Sequence, residues 1–468
     1  MFFDIAYLIF YMFYGAYRMT RLSIVFPLIA CQFALAGCDS AASKDIKISV
    51  DRAMLVERPS PLITGVGTHF GIGGNHNYVG YKSLEAINEL GVDSYRDDIP
   101  WGAFDPDGDG RGNGQPARLF AFMQMAPQQP LLIAGYSNRR ILNGDPPLTD
   151  DARRHFDNFI REVMNATAQF KPIYEIWNEW NMNAVRREKR VQGAGTPDDP
   201  RAAIHYANLA KSALPIAREA APSATILYGS VGEDMTWDWT KAMVREVAAG
   251  PEVTLSLHLY NQCERDLRKR TATEMVDRLE KLQSEISPNA PRPIYITEFG
   301  WPTAKHHCGI EPQLAAANMA QFLFWSAATP WLKGAWVYQL KNSGKKEDDL
   351  EDNFGLYDYD YKPKPEACAV REAVKLIKSS KRYALQRPHP DLFTLQLETP
   401  AGMRLVAWTT ANTGTAELIA DAANRPTAKL LCNGPLAFTG DTIQIGPEPV
   451  ILDFPQRGPT ELKFNVSG

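Results

Sequence analysis

The chain has 468 residues, with 50 Lys plus Arg against 54 Asp plus Glu and a pI near 6.1, so it has no global positive field to hold a polyanion. Nucleic acid is not an expected partner. Hydrophobic residues at 45% and charged residues at 22% supply a large core and exclude wholesale disorder, and a mean hydropathy of -0.29 excludes a polytopic membrane protein.

Two apolar runs, MFFDIAYLIFYMFYGAY and LSIVFPLIACQFALAGC, open the chain around Arg18 and Arg21. From Met19 onward, Arg21, the apolar stretch 22–35 and the small residues before Cys38 have the proportions of a signal peptide. The string Leu35-Ala36-Gly37-Cys38 resembles the lipobox of bacterial lipoproteins. That resemblance implies a signal peptide over 1–38, a lipid on Cys38, and a membrane-tethered, extracytoplasmic chain in the periplasm or on the cell surface. Residues 1–18 fit poorly, with Asp4 and no base before Arg18, so Met19 is the expected start. A membrane anchor within 2–36 is the alternative, although either run is short for a span of about 20 residues. The polar, Pro-punctuated segment 39–61 is expected to be a tether.

From residue 62 a rhythm begins. Eight β-branched runs (62–70, 92–97, 130–136, 172–178, 224–230, 253–260, 292–298 and 333–340) alternate with segments of helical periodicity. Thr149 before two aspartates marks a helix start, and Gly91 marks a helix stop. The pattern predicts an α/β fold, a (β/α)8 barrel over 62–385. A doubly wound open sheet is the alternative, but no GxGxxG follows the first strand. Alternating runs without helices over 386–468 predict a small C-terminal all-β domain, a sandwich. The charged stretch 341–353 reads as a solvated loop.

In such a barrel the reactive groups sit at the C-terminal strand ends. Those ends carry Arg96, then Trp177, Asn178 and Glu179, then His258 and Tyr260, then Glu298, with Trp336 on the eighth strand. Two carboxylates on one rim, with a cation, a phenol, an amide and indoles around them, suit cleavage of a glycosidic bond. The oxocarbenium-like transition state needs one acid on the leaving oxygen and one carboxylate against the anomeric carbon.

The segments EIWNEWN around Glu179, HLY at 258–260 and ITEFGW around Glu298 resemble the retaining glycoside hydrolases of clan A. Within the clan the plan is most similar to the family 39 bacterial exopolysaccharide hydrolases, which pair the barrel with a small β domain. The clan often has Pro where this chain has Trp180. The resemblance implies Glu179 as acid/base and Glu298 as nucleophile, with no cofactor. It implies that Asn178 bonds the sugar 2-hydroxyl, that Arg96 and Tyr260 hold Glu298, and that Trp336 floors the sugar. It also implies a poly- or oligosaccharide substrate cleaved internally by a monomer. A transglycosylase using the same site, or a non-hydrolytic glycan-binding surface lipoprotein, are the alternatives.

His258 either contacts substrate or orients its neighbours. Trp101, Trp180 and Trp301 lie just past strand ends, where they stack on sugars or pack in the core. Cys263 and Cys308 fall on adjacent rim loops and are expected to form a disulfide, whereas Cys368 and Cys432 read as small buried hydrophobes. Catalytic zinc is not expected, because His69, His76 and His258 lack HxH or HExxH spacing. The string DPDGDG at 105–110 opens like a calcium loop but has Pro116 at the twelfth position, so a Gly-rich turn is favoured. Basic residues in the rim loops (Arg186, Arg187, Lys189, Arg190, Arg265, Arg268, Lys269, Arg270 and Lys305) are either solvated faces or an attraction for an acidic polysaccharide.

Overall fold

The computed structural model describes residues 44–72, 77–114, 116–185, 199–247, 253–410, 415–420, 425–454 and 460–467. The N-terminal segment read as a signal peptide, with Cys38, lies outside the described residues, as do His76 and the loop cations Arg186, Arg187, Lys189 and Arg190. Among those described, no helix is long and apolar enough to cross a membrane.

Eight parallel strands close into a barrel: Ile63–Gly67, Ser94–Pro100, Gln129–Gly135, Ile173–Ile176, Ile226–Val231, Thr254–Leu259, Ile294–Phe299 and Leu332–Val337. The eighth pairs with the first, Trp336 opposite Gly65, which removes both sheet edges. Local signals set the surrounding helices. Thr149 accepts the Ala152 N–H at the start of helix Asp150–Thr167, and Gly91, at φ 69°, donates its N–H to Ile87 and Asn88 to end helix Gly80–Leu90.

The β domain is a sandwich of a four-stranded and a seven-stranded antiparallel sheet. Its boundary differs from the expected one. Residues Lys44–Val50, expected within the tether, form an edge strand against Thr460–Ser467, and Val56–Glu57 pair with Arg382–Tyr383. Ile46, Ile48 and Val50 point into the sandwich core while Asp45, Lys47 and Ser49 face water, an alternation that only becomes a strand when a partner lies beside it. Arg58 then plugs the barrel side: its guanidinium donates to the carbonyls of Ser326, Ala327 and Thr329, satisfying the C-terminal end of helix Pro312–Ala328. Burial pushes that guanidinium down to about 10.

Helix Pro312–Ala328 is buried nearly all round, because the barrel packs against one side and the β domain covers the other. Gln321 donates to the carbonyls of Thr409 and Pro447, and Trp408, stacked on Phe393, packs against Phe324. Trp408 therefore builds this junction and offers no platform to solvent. Cys368 and Cys432 are not simple hydrophobes: they form a disulfide that ties the last barrel helix, Pro365–Lys378, to the β domain. A second disulfide joins Cys263 to Cys308 across the loops after strands six and seven. Arg270 spans the same two loops, donating to the carbonyls of Glu264 and His307 at 2.8 and 2.6 Å.

Candidate active site

Strands two, four, six and seven bring Arg96, Glu179, His258 and Glu298 to one rim. One carboxylate oxygen of Glu179, one of Glu298 and one imidazole nitrogen of His258 lie within 4.8 Å of one another. Arg96 organises the floor. Its Nε donates to Glu175 Oε2 at 2.8 Å, its Nη1 is ion-paired with Glu298 Oε1, and its Nη2 donates to Asn178 Oδ1 at 2.8 Å. Thr297 donates to the second Glu175 oxygen at 2.8 Å. The guanidinium thus lies between two carboxylates and is fixed by its planar fork.

Glu298 is prepared as an anion. Burial would push its carboxyl up, but the charges of His258 and Arg96 and the Tyr260 hydroxyl, which donates to Oε2 at 2.7 Å, hold it below the ordinary carboxylate value. His258 bridges the two glutamates, with Nδ1 at 2.9 Å from Glu179 Oε1 and 3.5 Å from Glu298 Oε2. Its Nε2 lies 3.2 Å from Arg96 Nη2 and 3.1 Å from Ser230 Oγ, and its Nδ1–H is aimed at Glu179. Burial lowers the imidazole, yet the fields of Glu298 and Glu179 outweigh it and raise its proton affinity. Asn178 Oδ1 receives both Arg96 and Ser230, which fixes the side of the amide that donates.

The backbone here is strained. Tyr136, Trp177, Glu179, Ser230 and Glu233 all have positive φ, between 24° and 70°, and all follow or end strands three to five. Each costs about 1–3 kcal/mol and persists only where its surroundings enforce it. At Glu179 the N–H donates to Ser230 O at 2.8 Å, and Gly232 leaves the space its carboxylate fills: a Cβ there would lie 2.6 Å from Glu179 Oε1.

Three expected sugar contacts are not made. Trp180 and Trp301 are fully buried, the first against Trp177 and Tyr206, the second donating to Asn261 Oδ1 at 2.9 Å. Trp336 lies at the opposite end of the barrel, in an apolar layer with Leu131, Ile173, Leu227 and Tyr295, and donates to Ser94 Oγ at 3.1 Å. Trp101 is likewise core, stacked on Phe159.

The aromatic at the end of strand eight is instead Tyr338, two residues on, which meets Tyr260, His69 and Phe354 edge-on. Its hydroxyl donates to Glu351 Oε2 at 3.1 Å. Glu351 belongs to the stretch read as a solvated loop, yet it stands on the cleft wall, closely surrounded but still reached by solvent; crowding and the charges of Glu179 and Glu298 push its carboxyl up to about 7. On the other side, buried Asp98 accepts from Tyr136 OH at 2.6 Å and lies 3.7 Å from His69 Nδ1. Glu175 was legible in principle, as a charge inside the apolar run IYEI; Asp98 and Glu351 had no comparable signal.

Glu179, His258 and Glu298 are close enough to share a cation. Arg96 and Tyr260 already occupy the Glu298 oxygens, so a metal there would compete with a guanidinium. The other set, His306, His307 and Cys308, has its sulfur in the disulfide. Asp105 turns its carboxylate onto the N–H groups of Gly108, Asp109 and Gly110, a turn-closing role that uses up the first ligand of a calcium loop.

No family model matches the chain, and no curated protein matches it. Solved structures do. The fold is similar to a family 39 glycoside hydrolase from the gut symbiont Bacteroides cellulosilyticus WH2, with TM-score 0.64 and 21% identity over 84% of this chain and 81% of that one. It is similar to a monomeric beta-xylosidase from Caulobacter crescentus CB15, with TM-score 0.54 and 13% identity over 89% and 98%. A GH5_18 structure from Streptomyces cattleya in complex with GlcNAc matches at TM-score 0.51 and 18% identity over 69% and 82%. At these identities the likeness establishes the fold.

Proposed function

We propose that this chain is a retaining glycoside hydrolase of the clan A type, lipid-anchored through Cys38 outside the cytoplasm, cutting a bacterial exopolysaccharide internally. The carrying observation is the approach of Glu179 and Glu298 to within 4.8 Å around His258, the separation of roughly 5 Å that a double displacement uses. An inverting enzyme needs a wider gap to admit water between the carboxylates.

In the first step Glu298, anionic through Arg96 and Tyr260, attacks the anomeric carbon while Glu179 protonates the departing oxygen. The glycosyl–Glu298 ester carries no charge, so Glu179 and His258 then face a neutral partner, and Glu179 takes the proton of the water that attacks. Asn178, held by Arg96 and Ser230, presents its amide N–H to the 2-hydroxyl. Tyr338 replaces Trp336 as the ring against the sugar. The two carboxylates complete this chemistry without a cofactor.

The test is turnover of a panel of bacterial exopolysaccharides, with products followed by mass spectrometry and anomeric configuration by NMR. Retention of configuration and internal fragments are expected. An inverted product, or full turnover by Glu298→Gln, would overturn the assignment. Glu179→Ala should slow glycosides with poor leaving groups far more than activated aryl glycosides.

A further inference from the structure

Among the described residues, three of the rim cations expected to attract an acidic glycan are engaged. Arg268 is paired with Asp266 and Lys305 with Glu347, while Arg270 is buried across two loops. The centre of the cleft is itself acidic: Arg96 faces Glu175 and Glu298, with Asp98, Glu179 and Glu351 nearby. A carboxylate on the sugar being cleaved would meet repulsion.

Beside that acidic centre the sign changes. A depression of about 580 Å³ opens past the ends of strands two and three, with Pro100 and Pro106 on one side and Ser137, Arg139 and Arg140 on the other. Its walls are held. Asn138, buried, donates to Asp105 O at 2.7 Å and accepts from Arg140 N at 2.9 Å, tying the two loops together. The loop acids are turned to other partners, Asp107 to Asn113 and Asp109 to Arg111. Arg139 and Arg140 are exposed and form no ion pair among the described residues. The chain links the wall of this pocket to the catalytic rim: Ser137 follows Tyr136, which bonds Asp98, and the Gly135 backbone abuts that of Trp177 and Asn178.

Resting on the glycosidase reading, we propose that this pocket is a sugar subsite for a carboxylate-bearing residue, a uronate or a pyruvate ketal, next to and distinct from the sugar at the cleavage point. Two arginine forks suit planar carboxylates, and the proline faces suit the apolar face of a ring. The substrate class follows: a glycan with neutral residues at the scissile bond and an acid on a neighbouring sugar.

The exopolysaccharide panel tests this. The preferred glycan is expected to carry carboxylates, and reducing them to primary alcohols should lower kcat/KM about tenfold. Arg139→Gln with Arg140→Gln should erase that preference, and Arg139→Lys with Arg140→Lys should keep part of it, with the preference falling as salt rises. A preferred glycan without acid groups, or a preference unchanged in the Gln double variant, overturns the proposal. If no glycan is turned over, the glycosidase reading has failed instead. Calorimetry with glucuronate-containing oligosaccharides then judges the pocket alone: binding weakened about tenfold in the Gln variant supports it, and equal or absent binding refutes it.

Discussion

The two ends of the same eight strands are made of different chemistry. At the N-terminal end, Leu131, Ile173, Leu227, Tyr295 and Trp336 close an apolar plug whose indole N–H finds Ser94. Two residues farther along the same strands, Ser94 gives way to Arg96 and Ile173 to Glu175, and the interior becomes an ion-pair network. The plug has relaxed backbone and satisfied contacts; the rim gathers left-handed residues and crowded charges. The lower layer supplies stability, and the upper one spends part of it holding groups in place.

Four substitutions break or sharpen that contrast. Glu298→Gln should lower turnover about 10⁴-fold, an effect far larger than its shift in melting temperature, since Gln keeps the side-chain shape and Glu175 still pairs with Arg96. In the parent protein the acid limb of kcat/KM should fall below the ordinary carboxylate range, because Glu298 must stay ionised and its folded value is depressed. Trp336→Ala should do the reverse, costing about 3–5 kcal/mol in urea unfolding while kcat per folded molecule stays within about twofold. Comparable loss of kcat would return Trp336 to the site.

Gly232→Ala is intermediate. Its new methyl displaces Glu179, so kcat on substrates with poor leaving groups should drop about 100-fold, with activated aryl glycosides spared. Equal loss on both substrate types would show that the acid is not what moved. Glu351→Gln has the smallest effect. The folded chain holds a proton on Glu351 up to about 7, above its unfolded value, so its contribution to stability is present at low pH and lost as pH rises through that window. The variant should lose this slope in melting temperature, along with any inflection near pH 7 in kcat/KM; an unchanged profile would place Glu351 outside the cleft's field.

The sequence by itself determined the repeating architecture and the rim positions of Glu179 and Glu298. Period, caps and strand ends are local properties, and eight strand–helix units have one compact way to close. It did not determine which large rings meet sugar. Trp180, Trp301 and Trp336 look alike as residues near strand ends, but burial depends on what other segments cover them, and here Tyr206, Asn261 and the lower barrel layer do so. The same holds for the strand Lys44–Val50, which needs Thr460–Ser467 beside it, and for Cys368, whose partner Cys432 lies 64 residues away. Glu351 and Asp98 became part of the cleft only when separate loops met around one rim, since charge crowding is a property of space rather than of sequence order.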